Sequence, residues 1–106
     1  MKDLGSLMKQ AQAMQEKLQD AQARLAESEV DGASGGGMVR LTLKGTGELA
    51  RLIIDETLLV RGEGEILADL VIAAHNDAKR KLEAKQSEIM REVAGPLAGL
   101  PGMPGF

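Results

Sequence analysis

Apolar residues at Leu4, Leu7, Ala11, Met14, Leu18, Ala21 and Leu25 recur at alternating intervals of three and four. This spacing lines one face of an α-helix. The residues between them are mostly Gln, Lys, Glu and Asp, and after Gly5 no proline, glycine or β-branched residue opposes helix formation. The pattern predicts a helix over Leu4–Leu25, with Asp3 placed to cap its start. Beyond Glu27 the run Ala33-Ser34-Gly35-Gly36-Gly37 is too rich in glycine to remain helical.

The period then changes to two. From Met38 to Lys44, Val39, Leu41 and Leu43 alternate with Arg40, Thr42 and Lys44, the signature of a half-buried strand. Gly45-Thr46-Gly47 supplies a turn and Glu48–Ile54 returns rich in aliphatics, so the two segments read as a β-hairpin. Glu29–Ala33 adds a third, edge strand. After Asp55–Gly62, a second helical pattern runs through Ile66, Leu67, Leu70, Val71, Ala74, Ala78, Leu82, Ile89 and Val93, and Gly95-Pro96 stops it. The fold expected is α+β: a long N-terminal helix, a small antiparallel three-stranded sheet and a long C-terminal helix. A single domain spans 1–94, and a loosely ordered Gly/Pro-rich tail covers 95–106.

Dimensions suggest that one copy is not enough. At 1.5 Å per residue the helices span about 33 and 45 Å, whereas a seven-residue strand covers about 23 Å. The helices overhang the sheet, and their stripes stay uncovered unless another surface meets them. A symmetric homodimer is the expected solution. The predicted core and dimer positions are Leu7, Met14 and Leu18 on the first helix, Val39, Leu41, Leu43, Leu52 and Ile54 on the strands, and Leu67, Leu70 and Val71 on the second helix. The alternative is a monomer whose two helices bury their stripes on each other.

Composition narrows the function. The only aromatic residue is Phe106, so aromatic platforms for single-stranded nucleic acid are missing. No cysteine is present, which removes disulfides, thiolate zinc sites and thiol nucleophiles. No apolar run approaches the roughly 20 residues of a membrane span, and Met1–Leu7 lacks the apolar stretch of a signal peptide. A soluble, cytoplasmic protein is expected, without membrane association.

The net charge of −3 argues by itself against a nucleic-acid partner, but the charges are unevenly placed. Both helices join the strands at one end, which puts their other ends on the far side. Lys2 and Lys9 stand near one free end, against Asp3. Lys79, Arg80, Lys81, Lys85 and Arg91 lie towards the other, against Glu83 and Glu88. Acids gather instead at Glu27, Glu29 and Asp31 and along Asp55–Asp69. Basic tips of this kind would steer phosphates. A solvated helix face explains the same charges more simply, and charge alone favours it.

Other motifs carry little. Gly45-Thr46-Gly47-Glu48-Leu49-Ala50 spells a dinucleotide-binding turn, but Leu52-Ile53-Ile54 suits a strand better than the crossover helix such a site requires. Gly35-Gly36-Gly37 lacks the Lys-Ser/Thr of a P-loop. His75, the single histidine, has neither a nucleophile nor further ligands at helical spacing, and reads as a helix residue at the edge of the core. Met8, Met14 and Met38 read as filling for a core or an interface. No catalytic residue, metal, cofactor or small-molecule substrate is expected.

Certain words in the chain are more informative together: Leu7-Met8-Lys9-Gln10-Ala11-Gln12 with Met14-Gln15-Glu16-Lys17, then Gly35–Leu43, then Leu70-Val71 and Asn76-Asp77-Ala78. Their order and spacing, including the Pro/Gly/Met/Phe tail, resemble the YbaB/EbfC family of bacterial nucleoid-associated proteins. The resemblance implies a tweezer-like homodimer that binds double-stranded DNA, alters its conformation and influences nucleoid organisation and gene expression. It implies a location in the cytoplasm and nucleoid. Candidate DNA contacts are Lys2, Lys9, Lys79, Arg80, Lys81, Lys85 and Arg91, mainly to phosphate, because no cluster resembles a major-groove recognition surface. Glu56, where the family often has Pro, and His75, where an aromatic is common, depart from the pattern away from the tips. The alternative function is a protein-binding adaptor or chaperone-like helical clamp.

Overall fold

The computed structural model describes residues 4–95. Its elements follow the order read from the pattern: α1 (Leu4–Glu27), β1 (Glu29–Ser34), a 3₁₀ turn (Gly35–Gly37), β2 (Val39–Lys44), β3 (Leu49–Ile54), a second 3₁₀ turn (Glu56–Leu58) and α2 (Gly64–Ala94). The strands form one antiparallel sheet in the order β1-β2-β3, so the third strand is present and the fold is α+β. Lys2, Asp3 and residues 96–106, which include most of the expected tail, lie outside the described residues.

The alternation along β2 sets the layers. Val39, Leu41 and Leu43 are buried beneath α2, and Arg40 is exposed on the opposite face. Thr42 breaks the simple division: it faces away from α2 yet is only 5% exposed. Its hydroxyl donates to Asp31 Oδ1 at 2.7 Å, which satisfies the polar group across the β1–β2 pair.

Helix α2 rests on β1 and β2 through small residues. Gly32 lies directly under Ala74 and Ala78, and a Cβ there would collide with the Ala74 carbonyl and come within 2.6 Å of the Ala78 nitrogen. Around this contact Leu58, Ala74 and Ala78 are buried with the β2 aliphatics. Ile54, Leu67, Leu70 and Val71 pack on them, half-buried. The run Gly35-Gly36-Gly37 is needed because all three residues take positive φ, 59°, 67° and 96°, where a side chain is strained.

Two positions expected in the core or dimer contact are exposed in the single chain. Leu52 is 41% exposed because α2 covers β1 and β2 and leaves β3 open. Leu7 is 57% exposed, near Leu4 and Met8, which are also exposed. The rest of the α1 stripe already has a partner in its own chain. Met14, Leu18, Ala21 and Leu25 pack on Ile89 and Val93 of α2, so the inner half of α1 pairs with the outer part of α2 as an intramolecular hairpin and the outer turns of α1 are left bare. The described residues measure 75 × 24 × 16 Å with a radius of gyration of 20.3 Å, against about 13 Å for a compact domain of this length. The shape is a small sheet-and-helix body with a two-helix arm.

Candidate nucleic-acid interface

Lys79, Arg80 and Lys81 stand beside β1 on the body, because α2 crosses the sheet at Ala74 and Ala78 and has advanced only one further turn. They are not at the outer end of the arm. Two of them share one carboxylate: Asp77 lies 3.6 Å from Arg80 Nη2 and 3.1 Å from Lys81 Nζ. Asp77 Oδ2 also accepts the Ala33 amide at 3.0 Å, and Lys81 Nζ donates to the Asp31 carbonyl at 3.0 Å. Asp31 and Ala33 are two apart, so their backbone groups point the same way, away from β2. Asp77 and Lys81 thus occupy the free edge of β1. The Ala33 amide, then the Lys81 hydrogen bond, hold the Asp77 carboxyl below its ordinary value, with charge from Lys81 and Arg80 adding to the effect.

Lys81 also reaches a hollow of about 200 Å³ on the sheet's open face, lined by Asp31, Arg40, Thr42, Arg51 and Ile53 among others. Among the described residues Arg40 and Arg51 have no salt-bridge partner. Sequence reasoning passed over both. The signal was available, since Arg40 occupies a polar position of the alternating strand and Arg51 pairs with Thr42.

The arm carries a mixed charge. Lys9 is exposed towards its outer end, and Arg91 is exposed on α2 beside Ser87, Met90 and Ala94. Lys85 is half-buried in the cleft between the helices, with Arg24, Glu27, Glu88 and Glu92. Arg24 pairs with Glu92 at 2.8 Å. The net-basic tips expected from the sequence are therefore diluted: Glu92 joins the arm, and Lys79–Lys81 leave it for the body. Lys9, Lys79, Lys85 and Arg91 have no salt-bridge partner among the described residues.

His75 is exposed rather than tucked at the core edge. Among the described residues no group of three or more His, Cys, Asp or Glu is placed to hold a metal ion. The Gly45–Gly47 turn closes a hairpin, with the Lys44 amide donating to the Glu48 carbonyl at 2.8 Å, and a strand follows it where a dinucleotide site needs a helix. No helix among the described residues is long and apolar enough to cross a membrane.

Two long helices around a three-stranded sheet, with cations on the open sheet face and along α2 that have no salt-bridge partner among the described residues, define a small α+β protein. The sequence comparison gives that class its family: the match to the YbaB/EbfC DNA-binding family covers residues 1–97, and the chain belongs to it. A nucleoid-associated protein of Phenylobacterium zucineum is 72% identical over 98% of this chain and 97% of its own. A nucleoid-associated protein of Caulobacter vibrioides is 68% identical over 100% and 98%. The crystal structure of an uncharacterized Helicobacter pylori protein superposes with a TM-score of 0.74 at 26% identity, covering 88% of this chain and 98% of the other.

Proposed function

We propose that this protein is a nucleoid-associated, homodimeric DNA-binding protein that grips double-stranded DNA mainly through phosphate contacts, altering its conformation and thereby nucleoid organisation and gene expression. The observation that carries this reading is family membership across residues 1–97, which gives a ligand to cations most of which have no salt-bridge partner among the described residues. The contacts fall into two groups. Lys79 and Arg80 on α2, the latter near Asp77, and Arg40 on the opposite face of the sheet form one. Lys9, Lys85 and Arg91 along the arm form the other, with Lys2 beyond the described residues. Lys81 contributes less, because Asp77 and the Asp31 carbonyl already hold its ammonium. Nucleoid-associated relatives support a nucleoid location, and nothing in this chemistry calls for catalysis.

A gel-shift titration at two salt concentrations tests the proposal, using the parent and a Lys79→Ala, Lys85→Ala, Arg91→Ala variant. These side chains bear no ion pair within the described fold, so their removal leaves the fold standing. The variant is expected to bind more weakly and to show a shallower dependence of log affinity on log salt, by nearly one unit for each phosphate that is no longer neutralised. An unchanged slope rejects the assignment of these cations to phosphate, and no binding by the parent at low salt rejects the function. The exposed Leu4, Leu7 and Met8 favour one second reading, a clamp on protein, which predicts partner binding that salt and these substitutions leave unaltered.

A further inference from the structure

The two edges of the sheet differ. At β1 the outward backbone groups of Ala33 and Asp31 are bonded by Asp77 and Lys81, so no strand can add there. At β3 nothing comparable is present among the described residues. The Asp55 amide donates inward to the Met38 carbonyl, and Arg51 and Ile53 share its parity, pairing with Thr42 and Arg40. By the antiparallel alternation, Leu52 and Ile54 direct their N–H and C=O groups away from the sheet. This edge is also apolar: Leu49, Leu52 and Ile53 are all exposed by 41 to 49%. An open apolar edge of this kind is the feature that folded proteins normally cover or charge.

We infer that a second copy of this chain covers it, β3 pairing antiparallel with β3 of the partner subunit about a two-fold axis at Ile53, to give a continuous six-stranded sheet. The inference rests on the dimer reading above and specifies its interface. Charge complementarity selects the register. With Ile53 opposite Ile53, Leu52 faces the partner's Ile54, both with outward backbone groups, and Arg51 faces the partner's Asp55 in two symmetric ion pairs. Moving the axis to Leu52 sets Arg51 opposite Ile53. An axis at Arg51 opposes two arginines, which is unfavourable across a strand pair. An axis at Ile54 opposes Leu52 to Glu56 and Ile53 to Asp55. Only the Ile53 axis matches apolar with apolar and cation with anion over Arg51–Asp55. It also brings exposed Leu49 alongside the partner's Thr57, near the exposed Leu59 and Val60 of the same segment.

The chain contains no cysteine, so an Ile53→Cys variant can form a disulfide only with another copy. Facing residues of a non-hydrogen-bonded antiparallel pair lie within disulfide reach. The variant is expected to cross-link into a covalent dimer under mild oxidation, whereas a Glu83→Cys control is not. Arg51→Asp and Asp55→Arg provide a second arm. Each alone opposes like charges twice in its homodimer and is expected to weaken association on the order of tenfold. Mixed in equal amounts, they restore both ion pairs and should form a heterodimer of near-parental affinity, a rescue that loss of the hydrogen bonds Asp55 Oδ1 accepts from the Thr57 amide and hydroxyl would not produce. If light scattering shows a parental dimer but Ile53→Cys fails to cross-link and mixing gives no rescue, the register is overturned and the dimer stands. A parental monomer at micromolar concentration overturns both.

Discussion

Gly32 bears on packing more than any other single residue. Its missing side chain lets α2 settle on β1 at the Ala74–Ala78 contact, and no hydrophobic pattern singles it out within the edge strand read over Glu29–Ala33. Gly32→Ala is expected to lower stability by about 1–3 kcal/mol, because backbone at the contact must move to admit the new carbon; chemical denaturation measures it. Asp77 gives a pH-dependent counterpart. Its folded-state pKa lies below the ordinary 3.8, so unfolding in acid takes up a proton there. Its stabilisation is present above 3.8 and is lost as the pH falls through the lowered folded value. An Asp77→Asn variant should therefore be less stable than the parent at neutral pH, and the gap between their denaturation midpoints should shrink below pH 3.8.

Elements divide the chain into two hydrophobic clusters. One joins α2 to the sheet, and the other, formed by Met14, Leu18, Ala21 and Leu25 with Ile89 and Val93, joins α1 to the outer part of α2. Ile89→Ala removes buried volume from the second alone. A loss of about 2–5 kcal/mol in the helix pairing is expected, read by hydrogen exchange as faster exchange along α1 with protection retained in β2. The stripe on α1 was legible because its spacing is unbroken from Leu4 to Leu25. Its partner was not, since a stripe records that a face is apolar and not which surface meets it. The strands were legible from alternation in β2. The open state of β3 was not, because Leu52 and Ile54 belong to an apolar run whether or not a helix lies above them.

At the scale of the molecule, the mixed charge of the arm predicts moderate rather than strong electrostatic binding. For a phosphate-gripping dimer, log affinity should fall linearly with log salt, with a slope of about −0.9 per neutralised phosphate. A titration across several salt concentrations checks this. A flat line would mean that the cations do not meet phosphate. The candidate DNA-binding residues were legible as residue types, since every lysine and arginine is visible in the chain. Their grouping was not: Lys81 is drawn onto the β1 edge, Glu92 enters the arm to meet Arg24, and Arg40 and Arg51 share a face through strand pairing.

Periodicity by itself determined the elements of this protein, their order and the α+β class, because the helical and strand periods are local properties of the backbone. The order and spacing of its motifs were enough to indicate its family. Tertiary structure alone decided that α2 lies over β1 and β2 and, among the described residues, that one sheet edge is closed while the other is open and which cations lack a salt-bridge partner. The physical reason is range. Burial and ion pairing depend on residues far apart in the chain, such as Gly32 with Ala78 and Arg24 with Glu92, and these meet only once the helices have crossed the sheet.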